Sequence, residues 1–527
     1  MNKPRRLYFN TTGPCRPEMH FMLPPKERLV GAQLDRYIDD QLYWILHAPR
    51  QTGKTTFLQS WMREINSGDE AVSCYVSVET CQGITQPERA MPSICNSIEN
   101  AADNAGLPVP SPGKADANSM LNNILKDWAK LVSPKPLIVL FDEVDVLEGE
   151  TLISFLRQLR LGFSGRGIST FPISIALVGM RDLKDYITAA KGGNPVNPGS
   201  PFNIKSDSAS ISNFSRNDVK RLFAQRTNET GQQITEEAFD YVYEQSRGQP
   251  WIVNNLFMRA VMRVLDDKCT DTVTISHIRE AREQIIMARE THLDTLAYRL
   301  EDSRIRKVME SLMTGEPDIS LAEGEAFRLC LDLGLVCIND GSPAVANPIY
   351  REVLAREITF APQMAIPKQE WKWEKPDGML DMDTLLTEFQ IFWRNNSEIW
   401  EEQSNYHEVF PHLLLMAFLQ RVTNGKGRIE REYAAGRGRM DLAVEYNGGW
   451  NIIEIKLLRK GRTFESVKTE GIQQTLNYRD AFSRSLDGSG SGNPQCYLVI
   501  FDRRPEKPSW EERLCRITHE QVVVIGC

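Results

Sequence analysis

Between Tyr43 and Pro195, short apolar runs alternate with stretches of helical periodicity. The runs LYWILHA, VSCYVSV, PLIVLFD and ISIALVG read as strands, and the alternation predicts a parallel sheet covered by helices. The stretch KGGNPVNPGSPFN, rich in Gly, Pro, Asn and Ser, marks a boundary. From Asn213 to about Leu293 the pattern is helical, with SRNDVKRLFAQR opening on Ser215 as a cap and TEEAFDYVYEQS opening on Thr235. Asp302 to Ile358 reads helix, helix, hairpin, helix, the hairpin turning at the Asp-Gly of LGLVCINDGSPAVANP. That order fits a winged-helix module. TFAPQMAIPKQEWKWEKPDG reads as a linker that packs onto something, and the rest forms one more α/β domain. The expected division is an arm (1–24), a P-loop core (25–195), a helical lid (196–293), a winged helix (294–360), a linker (361–380) and a last α/β domain (381–527).

A chain of 527 residues is too long for one ordinary domain. With 41% apolar and 25% charged residues, the balance is that of a soluble globular protein. A net charge of -8 excludes a polybasic nucleic-acid binder and leaves only local patches for such contacts. The 10 Cys show no CxxC pair and no Cys/His ligand spacing, as expected of reduced thiols in the cytoplasm. No signal-peptide pattern and no run long enough to cross a membrane is visible.

The segment Ala48, Pro49, Arg50, Gln51, Thr52, Gly53, Lys54, Thr55, Thr56 follows an apolar run and opens a helix. This is the context of a phosphate-binding loop, in which backbone N–H groups and the helix dipole surround a β-phosphate. Lys54 is expected on the β- and γ-phosphates, and Thr55 on Mg²⁺. Ala48 stands where such loops usually begin with Gly. PLIVLFDEVDVLEGE ends an apolar run on Asp142 and Glu143, placing Asp142 to hold the Mg²⁺ shell and Glu143 to activate water. Together the two motifs predict ATP or GTP binding.

A different chemistry lies in RMDLAVEYNGGWNIIEIKL. Alternation puts Asp441, Ala443 and Glu445 on one face of a strand, and Ile452, Glu454 and Lys456 on one face of the next. If the two Gly form the turn, Asp441 lies opposite Lys456 and diagonal to Glu454, so that both carboxylates converge on one cation. Such a cluster is costly to bury alone, whereas Mg²⁺ or Mn²⁺ with a phosphate substrate resolves the cost. The expected chemistry is phosphodiester hydrolysis, with Lys456 orienting water or stabilising transition-state charge. Between Lys426 and Glu470 there are ten Lys/Arg against seven Asp/Glu. Arg437, Arg439, Arg459, Lys460 and Arg462 are therefore candidates for a phosphate track. The cluster of Trp371, Trp373, Phe389, Trp393 and Trp400 reads as core.

The first pair of motifs resembles the AAA+/STAND ATPases from roughly Leu29 to Ile358. DEVD is similar to their Walker B, ISIALVGMRDL falls at their sensor-1 strand, and Gly248 and Pro250 match the GxP element of their lid. The resemblance implies adenine nucleotide held between core and lid, Pro250 contributing, and it allows a homo-oligomer. The second set resembles the PD-(D/E)XK nucleases. Asp441 with Glu454-Ile455-Lys456 carries the match, Glu408 falls at their auxiliary acidic position, and Gln474 and Tyr478 are similar to their QxxxY element. The nearest relatives suggested are prokaryotic proteins that fuse an AAA-like ATPase to such a nuclease. The implied function is an ATP-regulated, metal-dependent DNA endonuclease in defence against phage or plasmids, with RNA left open as a substrate. The alternative is an ATP-gated switch whose nuclease-like domain binds nucleic acid without cutting.

Overall fold

The computed structural model describes residues 6–180, 205–288, 298–313, 324–339, 341–354, 373–403, 427–435, 438–485, 494–504, 508–519 and 521–527, with a few short pieces between them. The chain forms two compact units, one of residues 1–298 and 319–351, the other of residues 299–318 and 352–527.

The first unit is built on strands β1 (Leu29–Val30), β2 (Tyr43–His47), β3 (Val72–Ser77), β4 (Leu137–Asp142), β5 (Ser174–Gly179) and β6 (Lys205–Ile211). Their order is β1-β6-β2-β5-β4-β3, parallel except for β1. The four strands legible in the sequence are β2 to β5. β4 and β5 are buried throughout, as parallel strands covered on both faces must be. Successive side chains serve opposite cores. Val139 and Phe141 pack with helices α3 (Pro87–Asn104), α4 (Met120–Leu131) and α5 (Gly149–Ser164). Ile138 and Leu140 pack with Tyr37 of α1 (Leu34–Asp39) and with Phe57 and Trp61 of α2 (Lys54–Ser67). Each such burial of a large apolar side chain contributes roughly 1.5–3 kcal/mol. β6 comes from a stretch assigned by its sequence to the helical lid, so the core sheet extends beyond position 195.

The helical part follows in the same unit: α6 (Arg216–Thr230), α7 (Glu236–Ser246), α8 (Pro250–Arg259) and α9 (Ile275–Ala288). Ser215 and Thr235 cap α6 and α7 through their side chains, and Ser215 forms a reciprocal capping box with Asp218. The N-terminal arm joins this unit. Phe9 and Phe21 are buried in an aromatic cluster with Phe223 and Phe257. The stretch expected as one winged helix is shared out: α10 (Ser303–Met313) groups with the second unit, whereas α11 (Glu325–Asp332) and the hairpin β7–β8 (Val336–Asn339, Ser342–Val345) group with the first.

The second unit holds a sheet of β9 (Gly427–Ala435), β10 (Gly438–Tyr446), β11 (Gly449–Leu458), β12 (Gln495–Asp502), β13 (Arg516–His519) and β14 (Val522–Gly526). The order is β13-β14-β12-β11-β10-β9, with β11, β12 and β14 parallel and the rest antiparallel. Helix α12 (Met382–Gln403) lays Phe389 and Trp393 against Phe501 of β12. Helix α13 (Phe464–Ser485) packs Val467 and Ile472 against Ile452, Leu498 and Val524. The described end of the expected linker packs onto the β10–β11 turn: Asn447 Nδ2 donates to Gly378 O, and Tyr446 Oη donates to Glu374 Oε2 at 3.3 Å. Among the described residues, no helix is long and apolar enough to cross a membrane.

Candidate functional site

The strand–loop–helix at Ala48–Thr56 closes as its residues demand. Ala48 N donates to Gly179 O at 3.2 Å, anchoring the loop's start to β5. Gln51 and Gly53 take left-handed conformations (φ 58° and 99°), turning the loop into α2. The Thr52 hydroxyl donates to Pro49 O at 2.8 Å. Lys54 folds back, its Nζ donating to Ala48 O at 2.7 Å and Pro49 O at 2.9 Å. Burial lowers its pKa, while Asp142 and Asp145 act to raise it.

Thr55 Oγ1 donates to Asp142 Oδ2 at 2.7 Å, so residues 87 apart in the chain meet at the point expected to hold Mg²⁺. Tyr75 Oη donates to the same oxygen at 3.1 Å. The other oxygen, Asp142 Oδ1, accepts the backbone N–H of Glu143 at 2.9 Å. Glu143 itself is left-handed (φ 59°) and accepts from Ser77 Oγ at 3.4 Å. Burial, followed by the charges of Glu79, Asp142 and Asp145, pushes its carboxyl up to about 7. A carboxylate poised near neutrality suits a general base.

These groups line a cavity of about 640 Å³, together with Arg50, Gln51, Thr56 and Pro250. Pro250 opens α8 behind Gly248, which has φ 74° and lies so close to Phe214 that a Cβ there would sit 1.9 Å from Phe214 O. Met180 also lines the cavity, and Arg181 lies outside the described residues. Sequence reasoning missed Tyr75, Arg28, Trp251, Asn254 and the arm residues Asn10, Thr11 and Gly13 to Cys15. The arm lies beside the loop, Cys15 N donating to Thr56 Oγ1 at 3.0 Å. No local pattern announces these residues, because only the fold brings them to the cavity.

In the second unit, β10 and β11 pair with Tyr446 opposite Gly449 and Leu442 opposite Ile453. The turn is therefore Asn447-Gly448, both left-handed, rather than the two Gly. This corrects the expected register: carried one residue further, it sets position 441 directly across from Glu454 instead of diagonal to it. Asp441 belongs to β10 by its backbone, but its side chain is outside the described residues, as is Glu408 altogether. Glu454 is only 2% exposed, and its Oε1 meets Lys456 Nζ at 2.9 Å on the α13 face of β11. Gln474 of α13 is half-buried, with no hydrogen-bond partner for its Oε1 among the described residues. Of the basic candidates, Arg462 pairs with Glu470 and Lys460 is exposed, while Arg437 lies outside the described residues. Among the described residues, no group of three or more His, Cys, Asp or Glu side chains is disposed to hold a metal.

The first unit is thus an α/β P-loop fold, with the loop's Thr bonded to the acid that ends β4. No protein-family model matches the chain, and no curated protein matches it. Among solved structures it is similar to a Walker-type ATPase of Pyrococcus abyssi, at 14% identity and a TM-score of 0.47, over 66% of this chain and 99% of that one. It is also similar to the ORC2 protein of Aeropyrum pernix, solved in ADPNP–ADP complexes, at 14% identity and a TM-score of 0.38, over 63% and 92%. A third likeness is to the RuvB Holliday junction branch migration motor of Thermotoga maritima, at 14% identity and a TM-score of 0.32, over 59% and 88%.

Proposed function

We propose that this chain is an ATP-binding and ATP-hydrolysing switch of the AAA+/STAND type, joined to a metal-dependent nuclease of the PD-(D/E)XK type that acts on DNA. The 2.7 Å bond from Thr55 to Asp142 carries the first half, because it joins two motifs read separately in the sequence. Thr55 and Asp142 are hard oxygen donors that fit Mg²⁺, which when bound would offset phosphate charge. Lys54 would then leave the loop carbonyls for the β- and γ-phosphates, and Glu143 would take a proton from water.

The second half is supported by Glu454 and Lys456 in contact on a buried strand face, with the backbone of Asp441 on the neighbouring strand. Asp441 and Glu454 would hold Mg²⁺ or Mn²⁺, which would supply charge neutralisation at the scissile phosphate. Lys456 would orient the attacking water. A part in defence against phage or plasmids is proposed from the family resemblance.

The test is cleavage of plasmid, linear and single-stranded DNA with Mg²⁺ or Mn²⁺, with and without ATP. Wild type, Asp441→Ala and Lys54→Ala are compared. Metal-dependent cutting lost in Asp441→Ala is the expected result, and a changed ATP response in Lys54→Ala would place nucleotide in control. Cutting at equal rates by wild type and Asp441→Ala would sink the nuclease reading. DNA binding without cutting in any condition would favour a switch that only holds nucleic acid.

A further inference from the structure

Besides Arg50 and Lys54, a further basic side chain lines the nucleotide cavity, from outside every motif singled out above. Arg28 ends the short 3-10 turn Pro25–Arg28 and is only 7% exposed. Its Nη1 donates to Thr52 O at 2.8 Å and to Ser212 O at 3.0 Å. Its Cζ lies 4.9 Å from the centre of the Phe214 ring. Its Nη2 stands against the phosphate loop, so close that a Cβ on Gly53 would come within 2.7 Å of it.

Among the described residues, no carboxylate forms an ion pair with Arg28. Asp218, the acid with the largest influence on it, is occupied by the Ser215 cap and by Arg221. Burial brings its pKa down to about 10, which leaves it charged at neutral pH. A buried charge without a counter-ion is costly, and the cost is relieved where an anion arrives. The phosphate loop beside it is such a place.

We infer that Arg28 is a nucleotide-binding residue that contacts a phosphate shared by ATP and ADP. The inference rests on the nucleotide-binding reading above and names a residue that reading lacks. Lys54 approaches from the Ala48–Pro49 side and is surrounded by Asp142, Asp145 and Glu143, the end at which a terminal phosphate would be attacked. Arg28 sits instead beside Gly53, Phe214 and Cys15. A nucleotide with its terminal phosphate at Glu143 turns its inner phosphates toward this second side. The guanidinium has the donors for that contact: Nη1 is held by two carbonyls, and Nη2 remains to meet an oxygen.

The experiment compares dissociation constants of ATP and ADP for the full chain and for Arg28→Met, with adenosine measured by competition. Because the inner phosphates are common to both nucleotides, the variant is expected to lose about 10- to 100-fold in affinity for each, by the same factor. Adenosine, which has no phosphate, is expected to bind both proteins alike. A loss confined to ATP, an unchanged ADP affinity, or an adenosine affinity that falls by the same factor would each overturn the assignment. The last of these would make Arg28 only a brace for Thr52 and Ser212. If Arg28→Met fails to fold, Arg28→Lys is read by the same criteria, with about a tenfold loss expected because the fork is gone. Absence of ATP and ADP binding by wild type would instead defeat the nucleotide reading itself.

Discussion

Glu143 shows how much one side chain's surroundings determine its chemistry. Its carboxyl is raised to about 7 from 4.5, first by burial and then by the neighbouring carboxylates. The folded-state value lies above the unfolded one. The stability it contributes is therefore fully present below about 4.5 and is lost as pH rises through about 7. Without nucleotide or metal, Glu143→Gln is expected to melt at a higher temperature than wild type at pH 8, and the margin should shrink toward pH 5. Circular dichroism melts at both pH values test this, and an equal margin at both would contradict the raised carboxyl. With ATP and Mg²⁺, the same variant is expected to keep its nucleotide affinity while hydrolysis falls by roughly 100-fold or more, the usual scale for a lost general base. A steady-state phosphate-release assay beside a binding titration separates the two effects.

Between elements, close approach decides which small residues can change. Gly248 and Gly231 both have left-handed backbones, φ 74° and 80°; Gly231 caps the end of α6, and Gly248 follows Arg247, which caps the end of α7. A Cβ at Gly231 would meet nothing within 4 Å, whereas at Gly248 it would overlap Phe214 O. Gly231→Ala is expected to cost about 1–2 kcal/mol, the conformational penalty alone. Gly248→Ala is expected to cost several kcal/mol more and to weaken nucleotide binding, because Phe214 N also donates to Gly248 O at 2.8 Å beside the cavity. Urea melts of the two variants rank them, and equal losses would show that the contact with Phe214 is dispensable.

For the whole molecule, the division into units does not follow chain order. Residues 319–351 belong with the P-loop unit, and Leu335, Ile349 and Tyr350 of that segment are buried. Gly334 stands so near the loop that a Cβ there would come within 2.7 Å of the Pro49 ring. A fragment ending at residue 298 is therefore expected to melt several degrees below one ending at 351 and to bind nucleotide more weakly. Thermal melts with and without ATP measure both. Equal midpoints would mean that 319–351 adds nothing to the first unit.

Local chemistry made the phosphate loop, the acids that end β4 and the Glu454–Lys456 pair readable. Lys54, Thr55, Asp142 and Glu143 stand next to apolar runs that can only be buried strands, and Glu454 and Lys456 alternate with Ile453 and Ile455. The same reading found β2 to β5, the two helix caps and the strand QCYLVIFD. It passed over β6, because Lys205–Ile211 is mostly Ser, Lys and Asp. That segment is a strand only through its backbone bonds to β2 and β1, with Ala209 and Ile211 facing the core. The register of β10 and β11 turned on which two residues take left-handed angles, and Asn447-Gly448 form the turn that Met379 packs against at Gly449. Tyr75, Arg28 and the arm reach the cavity from positions with no local signature. Apolar period and motif spacing determined the elements and their chemistry. Only tertiary packing decided which distant polar groups share a cavity, because burial, close approach and charge compensation belong to the folded molecule.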